Sequence, residues 1–206
     1  VNGLNYLEKG DSLIFWGTGD PSLLHPDFKN DQVITFLKAS DKKLFLVDNF
    51  AQVSSFGQGW SWDWYPYYYA AERSAFPVYG NVVRFSKLKE EKDFRVYPLR
   101  FKPELESVPK FGTYNYSFSR KRAENTFPFF FTEKAKTEAF QVDIPFITSP
   151  ELTKKLLEEA TGRSITLIRN QYYLNADPKK LQTAPADSLY AQMMKISDNF
   201  LAEQLM

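Results

Sequence analysis

The sequence contains no cysteine and only one histidine among its 206 residues. The lack of cysteine excludes disulfide bonds and thiolate metal sites, but it does not separate a cytoplasmic from a periplasmic protein. No apolar run is long enough to span a bilayer. A net charge of +1 argues against an extended nucleic-acid-binding surface. No grouping of His, Asp and Glu has metal-ligand spacing, so we expect no metal and no other cofactor.

The remaining composition is that of a folded protein with a large aromatic core. Hydrophobic residues make up 43% of the chain and aromatic residues 17%, which suffices for one or two packed domains. Alternating apolar residues predict strands at 12–16, 43–49, 81–88, 94–101, 113–120 and 126–131. Helical patterns are predicted at 31–39, at 149–159 and from 187 onward, with a loop at 175–185. For the second helix, Thr148 or Ser149 is expected as the N-cap and Gly162 as the stop.

The order of these elements predicts an α+β protein with an interrupted domain. Strands are concentrated between residues 81 and 147, and the helical patterns lie outside that range. We therefore expect a β-rich domain at 81–147, inserted into an α/β domain formed by 1–80 and 148–206.

Two short segments, one with two glycines and one with the single histidine, are interpreted as a turn and a loop rather than as functional motifs. Gly17-Thr18-Gly19 follows a predicted strand, and no third glycine or Gly-Lys-Ser/Thr follows that would make a phosphate-binding loop. A turn closed by Asp20-Pro21 is expected there. His25 lies in a predicted loop before Pro26, a poor setting for a general base.

The tripeptide Ser197-Asp198-Asn199 interrupts an apolar helical pattern near the end of the chain. Pro185 and Asp187 indicate the start of the preceding helix, with Asp187 or Ser188 as its N-cap. The tripeptide has two interpretations. It is either a capped helix junction whose side chains satisfy backbone groups, or the Ser-x-Asn element of the serine acylases.

Several further segments occur in the order found in one enzyme family. They are Gly-Thr-Gly-Asp-Pro-Ser-Leu at 17–23, Gly-Trp-Ser-Trp-Asp at 59–63, 68–71, 74–81, Ile-Pro at 144–145, the helix at 150–160 and Ser-Asp-Asn at 197–199. Across almost the whole chain this series resembles the penicillin-binding protein 4 family of D-alanyl-D-alanine carboxypeptidases, the S13 serine peptidases, especially those of Bacteroidetes-like bacteria.

The resemblance implies a periplasmic serine carboxypeptidase, with endopeptidase activity as an open alternative. Such an enzyme trims peptidoglycan stem peptides through an acyl-enzyme and binds β-lactams. By resemblance, Ser197 relays a proton to the departing D-alanine nitrogen, and Asn199 orients the substrate amide and the catalytic lysine. Asp198 is expected to cap a helix or pair locally.

The resemblance also implies a substrate-binding segment rich in aromatic residues. Trp60, Asp63 and Tyr69 are the candidates for the wall of the stem-peptide cleft, and Asp63 would engage the free amino group of diaminopimelate. Trp64 follows Asp63 where many relatives carry a second acid, which leaves the role of Asp63 open.

Two of the three catalytic elements of such enzymes are not matched. Ser-x-x-Lys occurs at 40–43, 86–89 and 107–110, and none of these has the setting of a buried helix start. Lys136-Thr137 is followed by Glu138 rather than glycine. We therefore expect the chain to be an internal segment of a longer enzyme, to lack turnover alone, and to show no N-terminal signal of its own.

The aromatic block at 60–69 leaves a competing interpretation. Its rings either pack in the core and at the domain junction, or form an exposed platform that stacks on glycan sugars in a non-catalytic binding module. Several coplanar exposed tryptophans would favour the platform. A family member that has lost catalysis is a third alternative.

Overall fold

The computed structural model describes residues 1–206 except 29, 90, 92, 102, 106–115, 133–137, 170 and 206, and the backbone alone at 62, 105, 171 and 196. The chain divides into two compact units. The first comprises Val1–Gln58, Glu72–Gly80 and Thr148–Met206, and the second comprises Gly59–Ala71 and Asn81–Ile147.

Strands and helices of the described residues follow in this order along the chain: β1 (Asn2–Lys9), β2 (Ser12–Gly17), α1 (Gln32–Ala39), β3 (Lys43–Val47), β4 (Val82–Lys87), β5 (Arg95–Tyr97), β6 (Pro103–Leu105), β7 (Tyr116–Phe118), β8 (Phe127–Phe131), β9 (Phe140–Pro145), α2 (Pro150–Thr161), β10 (Ile165–Ile168), β11 (Lys179–Gln182), α3 (Ala186–Ile196) and α4 (Asn199–Leu205).

The first unit is built on a five-stranded sheet in the order β10-β3-β2-β1-β11. β3 pairs in parallel with both β2 and β10, so Leu44 lies opposite Leu13 on one side and Ile165 on the other. The helices α1 and α2 connect these parallel strands, as parallel pairing requires. β2 is buried from Leu13 to Gly17, the continuous apolar run expected of a strand covered on both faces.

The helix α2 shows how local sequence determines an element. Ser149 Oγ accepts a hydrogen bond from the Leu152 N–H at 3.1 Å, and Pro150 occupies the first helical position. Gly162 ends the helix in the left-handed conformation, with φ of 68°. Of the two expected caps, Thr148 and Ser149, the structure uses Ser149, and the predicted stop at Gly162 is confirmed.

The second unit contains two three-stranded sheets, in the orders β5-β4-β9 and β6-β8-β7. Phenylalanine rings from the two sheets pack against one another. Phe85 and Phe118 stack with centroids 4.5 Å apart, and Phe85 also contacts Phe127 at 5.7 Å. Arg84 and Asp143 lie opposite each other on β4 and β9 and form two hydrogen bonds of 2.8 and 2.7 Å.

Some predicted elements differ from the structure. β11 lies inside the segment 175–185, so the prediction of a loop there is wrong. The strand predicted at 94–101 is formed only at Arg95–Tyr97, because the next residue is Pro98, which has no N–H to donate. Residues 113–115 of the strand predicted at 113–120 lie outside the described residues. In the rest of that range, the structure forms the strand β7.

No helix in the described part of the chain is both long enough and apolar enough to cross a membrane.

The end of β2 approaches another backbone segment very closely. A Cβ atom on Gly17 would lie 2.3 Å from the Ala75 carbonyl oxygen and 2.4 Å from Phe76 Cβ. The Gly19 N–H donates to the same Ala75 carbonyl at 2.9 Å. Only glycine permits this approach, because any side chain at position 17 would have to displace backbone.

We predict that Gly17→Ala lowers the free energy of unfolding by about 3 kcal/mol, the upper range for overpacking. Gly10→Ala is the matched control. Gly10 has a φ of +57° and open space around its Cα, so alanine there brings only backbone strain, about 1 kcal/mol. Urea unfolding of both variants measures the difference, and an equal loss in both would contradict the close contact.

Candidate functional site

Ser197 and Asp198 form the turn between α3 and α4. Ser197 has the left-handed backbone conformation, with φ of 53° and ψ of 49°, and its N–H donates to the Met193 carbonyl. The Asp198 N–H donates to the same carbonyl at 3.1 Å. This is the usual way to end a helix, but the left-handed residue is normally glycine or asparagine.

Asp198 begins the next helix. Its Oδ1 accepts a hydrogen bond from the Leu201 N–H at 3.0 Å, which is N-cap geometry. The expectation that Asp198 caps a helix is confirmed. α4 then starts at Asn199 and buries Phe200 and Leu201.

The side chains of Ser197 and Asn199 are exposed. Neither makes a side-chain hydrogen bond to any residue that the structure describes. The junction is therefore capped, as the structural interpretation expects, but the capping side chain is Asp198 and not Ser197 or Asn199. A hydroxyl and a carboxamide are left side by side with their donors and acceptors available.

The start of α3 differs from the prediction. The helix begins at Ala186, directly after Pro185, and no side chain among the described residues hydrogen-bonds its first turn. The expectation that Asp187 or Ser188 caps it is therefore wrong. Both are exposed inside the first turn, where Asp187 still interacts favourably with the helix dipole.

Two residues of α4 fix the helix to the segment Glu72–Gly80 of the same unit. Gln204 Nε2 donates to the Ser74 carbonyl at 2.9 Å, and its Oε1 accepts from the Ser74 N–H at 3.2 Å. Glu203 Oε2 lies 3.5 Å from the Arg73 guanidinium. The sequence pattern did not identify these contacts, since an exposed-looking Glu-Gln pair carries no signal of its partner.

The candidate substrate residues occupy a second segment, in the second unit. Asp63 lies in a short 3-10 turn at Trp62–Trp64 and is exposed, and Ser61 Oγ donates to its Oδ1 at 2.5 Å. Trp60 and Tyr69 are half-buried. The structure thus groups Ser197 with Asn199 in the first unit, and Trp60, Asp63 and Tyr69 in the second.

Tyr69 is the centre of an aromatic cluster. Tyr67 stacks on it at 5.4 Å with planes 6° apart, while Trp64 and Tyr68 meet it edge-on at 6.0 and 5.5 Å. Tyr67 and Tyr68 are each 52% exposed and Trp64 is 41% exposed. Among the tryptophans whose side chains are described, Trp64 is the only exposed one, so the row of coplanar exposed tryptophans is not found there.

The Ser-x-x-Lys matches do not form a nucleophile and base within the described residues. Ser40 follows the end of α1, and Lys43 begins β3. A hydrogen bond from Lys43 to Asp11 raises the pKa of Lys43, the opposite of what a general base needs. Ser86 lies within the strand β4. Residues 107–110 lie outside the described residues.

His25 is buried in a loop, where its Nδ1 accepts a hydrogen bond from the Asp27 N–H at 3.1 Å. A Cβ atom on Gly80 would lie 2.5 Å from the His25 ring. The ring is thus packed against Gly80.

The arrangement of helices and sheets defines an α+β fold. This fold is similar to that of penicillin binding protein 4 from Haemophilus influenzae, with a TM-score of 0.59 and 15% sequence identity over 100% of this chain and 51% of that chain. A second structure of that protein, complexed with a β-lactam, has a TM-score of 0.48 and 16% identity over 100% of this chain and 50% of that chain. The chain therefore spans about half the length of these proteins. No protein-family model and no curated protein matches it.

The turn between α3 and α4 predicts opposite effects for two neighbouring substitutions. Asp198→Ala removes the cap of α4 and is expected to cost about 1 kcal/mol of unfolding free energy. Ser197→Gly removes the left-handed strain of a residue with a Cβ, and is expected to be neutral or to stabilise by up to about 1 kcal/mol.

Thermal or urea unfolding of both variants tests this pair. A clear destabilisation by Ser197→Gly would show that the serine side chain supports the fold. In that case, the turn would be explained as a helix junction alone.

Proposed function

We propose that the chain is part of a serine-type D-alanyl-D-alanine carboxypeptidase of the penicillin-binding protein 4 family, of Bacteroidetes-like type. The parent enzyme acts in the periplasm, trims peptidoglycan stem peptides through an acyl-enzyme and binds β-lactams, and endopeptidase activity is an open alternative to the carboxypeptidase activity. The observation that carries the proposal is the exposed pair Ser197 and Asn199 on a turn whose capping is done by Asp198. The fold likeness to penicillin binding protein 4 supports it.

Ser197 can relay a proton in this scheme, because a hydroxyl both donates and accepts hydrogen bonds. It would take a proton from one lysine and pass it to the nitrogen of the departing D-alanine. Asn199 has a carbonyl oxygen and an amino group, so it can contact the catalytic lysine and the substrate amide together. The proposal assigns the nucleophilic serine, its lysine and the Lys-Thr-Gly element to the rest of the parent protein.

Asp63 supplies a negative charge for the substrate side chain. Its carboxylate is exposed and held by Ser61, and it would pair with the free ammonium group of diaminopimelate. Trp60 and Tyr69 would line the same subsite with apolar surface. A charge-assisted hydrogen bond of this kind contributes about 1.5–3 kcal/mol.

The activity test compares the full reading frame of the parent with this segment. The parent is expected to be labelled covalently by fluorescent penicillin and to release D-alanine from diacetyl-lysyl-D-Ala-D-Ala, while the segment does neither. In the parent, Ser197→Ala should lower kcat by roughly 100-fold, the low end for loss of a proton-transfer group.

Ser188→Ala is the matched control, since Ser188 is also an exposed serine, on α3. Its kcat should equal that of the unaltered enzyme. Labelling of the segment itself would contradict the assignment of the nucleophile to the rest of the parent. An unlabelled and inactive parent would contradict the peptidase.

A non-catalytic glycan-binding module is the second candidate function. The 52% exposure of Tyr67 and Tyr68 favours it, because exposed rings can stack on sugar rings. The half-buried Trp60 and the edge-on contacts to Tyr69 favour packing instead.

If the block is a platform, Tyr67→Ala should weaken binding of soluble peptidoglycan glycan strands at least about tenfold, the loss of one stacking contact. Tyr190→Ala is the control, since Tyr190 is 47% exposed and lies outside the block. Titration calorimetry measures both variants. Unchanged binding in Tyr67→Ala, or no binding by the unaltered chain, would exclude the platform.

A further inference from the structure

Arg120 is a buried cation just after the end of β7, in the second unit. It is 4% exposed, whereas the next two residues, Lys121 and Arg122, are exposed. Its Nε donates to the Pro145 carbonyl at 2.8 Å, and one terminal nitrogen donates to the Lys121 and Arg122 carbonyls, each at 3.1 Å. Because β9 ends at Pro145, these hydrogen bonds fix the guanidinium between strands of both sheets of this unit.

The guanidinium of Arg120 lies over the ring of Tyr65. The distance from Arg120 Cζ to the ring centroid is 4.9 Å, inside the roughly 6 Å limit of a cation–π contact. Tyr65 is half-buried and belongs to the segment Gly59–Ala71 of the same unit. A planar guanidinium can stack on a ring while its nitrogens donate to carbonyls, which the ammonium group of lysine cannot do. The contact therefore attaches Tyr65 to the sheets of the second unit.

The segment Gly59–Ala71 depends on side-chain contacts for its position. Its backbone forms short turns, in which the Trp64 N–H donates to the Ser61 carbonyl at 3.1 Å. Such turns have no ladder of backbone hydrogen bonds of the kind that orders a strand in a sheet. The candidate substrate residue Asp63 lies in one of these turns, two positions before Tyr65, and is exposed. The contact at Tyr65 is therefore a means by which the sheets hold Asp63 in place.

We propose that Arg120 is a positioning residue for substrate recognition and acts through Tyr65. By holding the Tyr65 ring, it keeps the Asp63 carboxylate oriented toward the free ammonium group of the diamino acid in the stem peptide. The inference rests on the function proposed above for Asp63. Without the contact, Asp63 would occupy the binding orientation for a smaller fraction of the time. The apparent affinity for the ammonium group would then fall in proportion to that fraction.

The test compares two substrates of the full-length parent that differ in side-chain charge. Nα-acetyl-lysyl-D-Ala-D-Ala carries a free ammonium group, and diacetyl-lysyl-D-Ala-D-Ala does not. The ratio of their kcat/KM values measures the pairing with Asp63 and should be at least about tenfold in the unaltered enzyme. A partial loss of folded enzyme lowers both values equally and leaves the ratio unchanged.

Two substitutions of Tyr65 separate the aromatic face from the rest of the side chain. Tyr65→Leu removes the ring and should lower the ratio about fivefold, through a higher KM for the free-amine peptide. Tyr65→Phe keeps an aromatic face for the guanidinium and should retain the ratio of the unaltered enzyme.

A third variant and two matched controls complete the set. Arg120→Lys keeps the charge but loses the planar group, so it should lower the ratio as Tyr65→Leu does. Arg95→Lys is its control, since Arg95 is an exposed arginine on β5 of the same unit. Tyr173→Leu is the control for Tyr65→Leu, because Tyr173 is also half-buried beneath a cation, Lys9 Nζ at 5.2 Å, but lies in the first unit. Both controls should retain the ratio.

Circular dichroism verifies that each variant is folded, and the two Tyr65 variants decide the question if Arg120→Lys does not fold. An undiminished ratio in Tyr65→Leu would overturn the positioning role and leave the proposed peptidase intact. An equal loss in Tyr65→Leu and Tyr65→Phe would overturn it as well. A parent that hydrolyses both peptides equally would contradict the assignment of Asp63 and this inference with it. A parent that hydrolyses neither would contradict the proposed function itself, and the inference would fall with it.

Discussion

The first unit depends on the backbone contact between Gly17 and the segment Glu72–Gly80. The absence of a side chain at Gly17 lets the Ala75 carbonyl and Phe76 lie against the end of β2. The Phe76 ring then meets Phe15 edge-on at 6.3 Å in the core. Ser74, one residue earlier, is held by both atoms of the Gln204 amide. The segment Glu72–Gly80 therefore connects the central sheet to α4. Because the turn at Ser197 leads directly into α4, these contacts also fix the position of that turn.

The sequence predicted those elements whose signals are local. Ser149, Pro150 and Gly162 bound α2 because capping and termination depend on residues adjacent to the helix. β2 is recognisable from its continuous apolar run, and β4 from the alternation of apolar and polar residues along it. β11 is not, because its sequence Lys-Lys-Leu-Gln has little strand propensity. Pairing with β1 makes it a strand, and that pairing joins residues such as Tyr6 and Lys179 that are remote in the sequence.

The features of the candidate site are likewise predictable from the sequence only where their signals are local. A polar break at Ser197-Asp198-Asn199 is visible in the sequence, and so is the capping ability of Asp198. The availability of Ser197 and Asn199 is not visible, because it depends on which of three polar side chains the turn uses. Likewise, the contact of Arg120 with the Tyr65 ring joins two segments that are remote in the sequence. Such contacts between distant residues carry no periodicity or spacing that a single sequence displays.

Near the turn at Ser197, some polar side chains stabilise the fold and others remain available to contact a ligand. Asp198 caps α4, and Gln204 and Glu203 fix the same helix to the segment Glu72–Gly80. Asn199 and Glu203 are four residues apart and therefore lie on one face of α4. Ser197 keeps a strained left-handed backbone that glycine would adopt at lower cost. A strained residue held by well-anchored neighbours is characteristic of functional positions. Neither the cap of α4 nor the contacts of Gln204 and Glu203 use the Ser197 hydroxyl. A glycine at position 197 would allow the same turn but would lack this hydroxyl. The chemistry of the hydroxyl is therefore what a serine provides at this position.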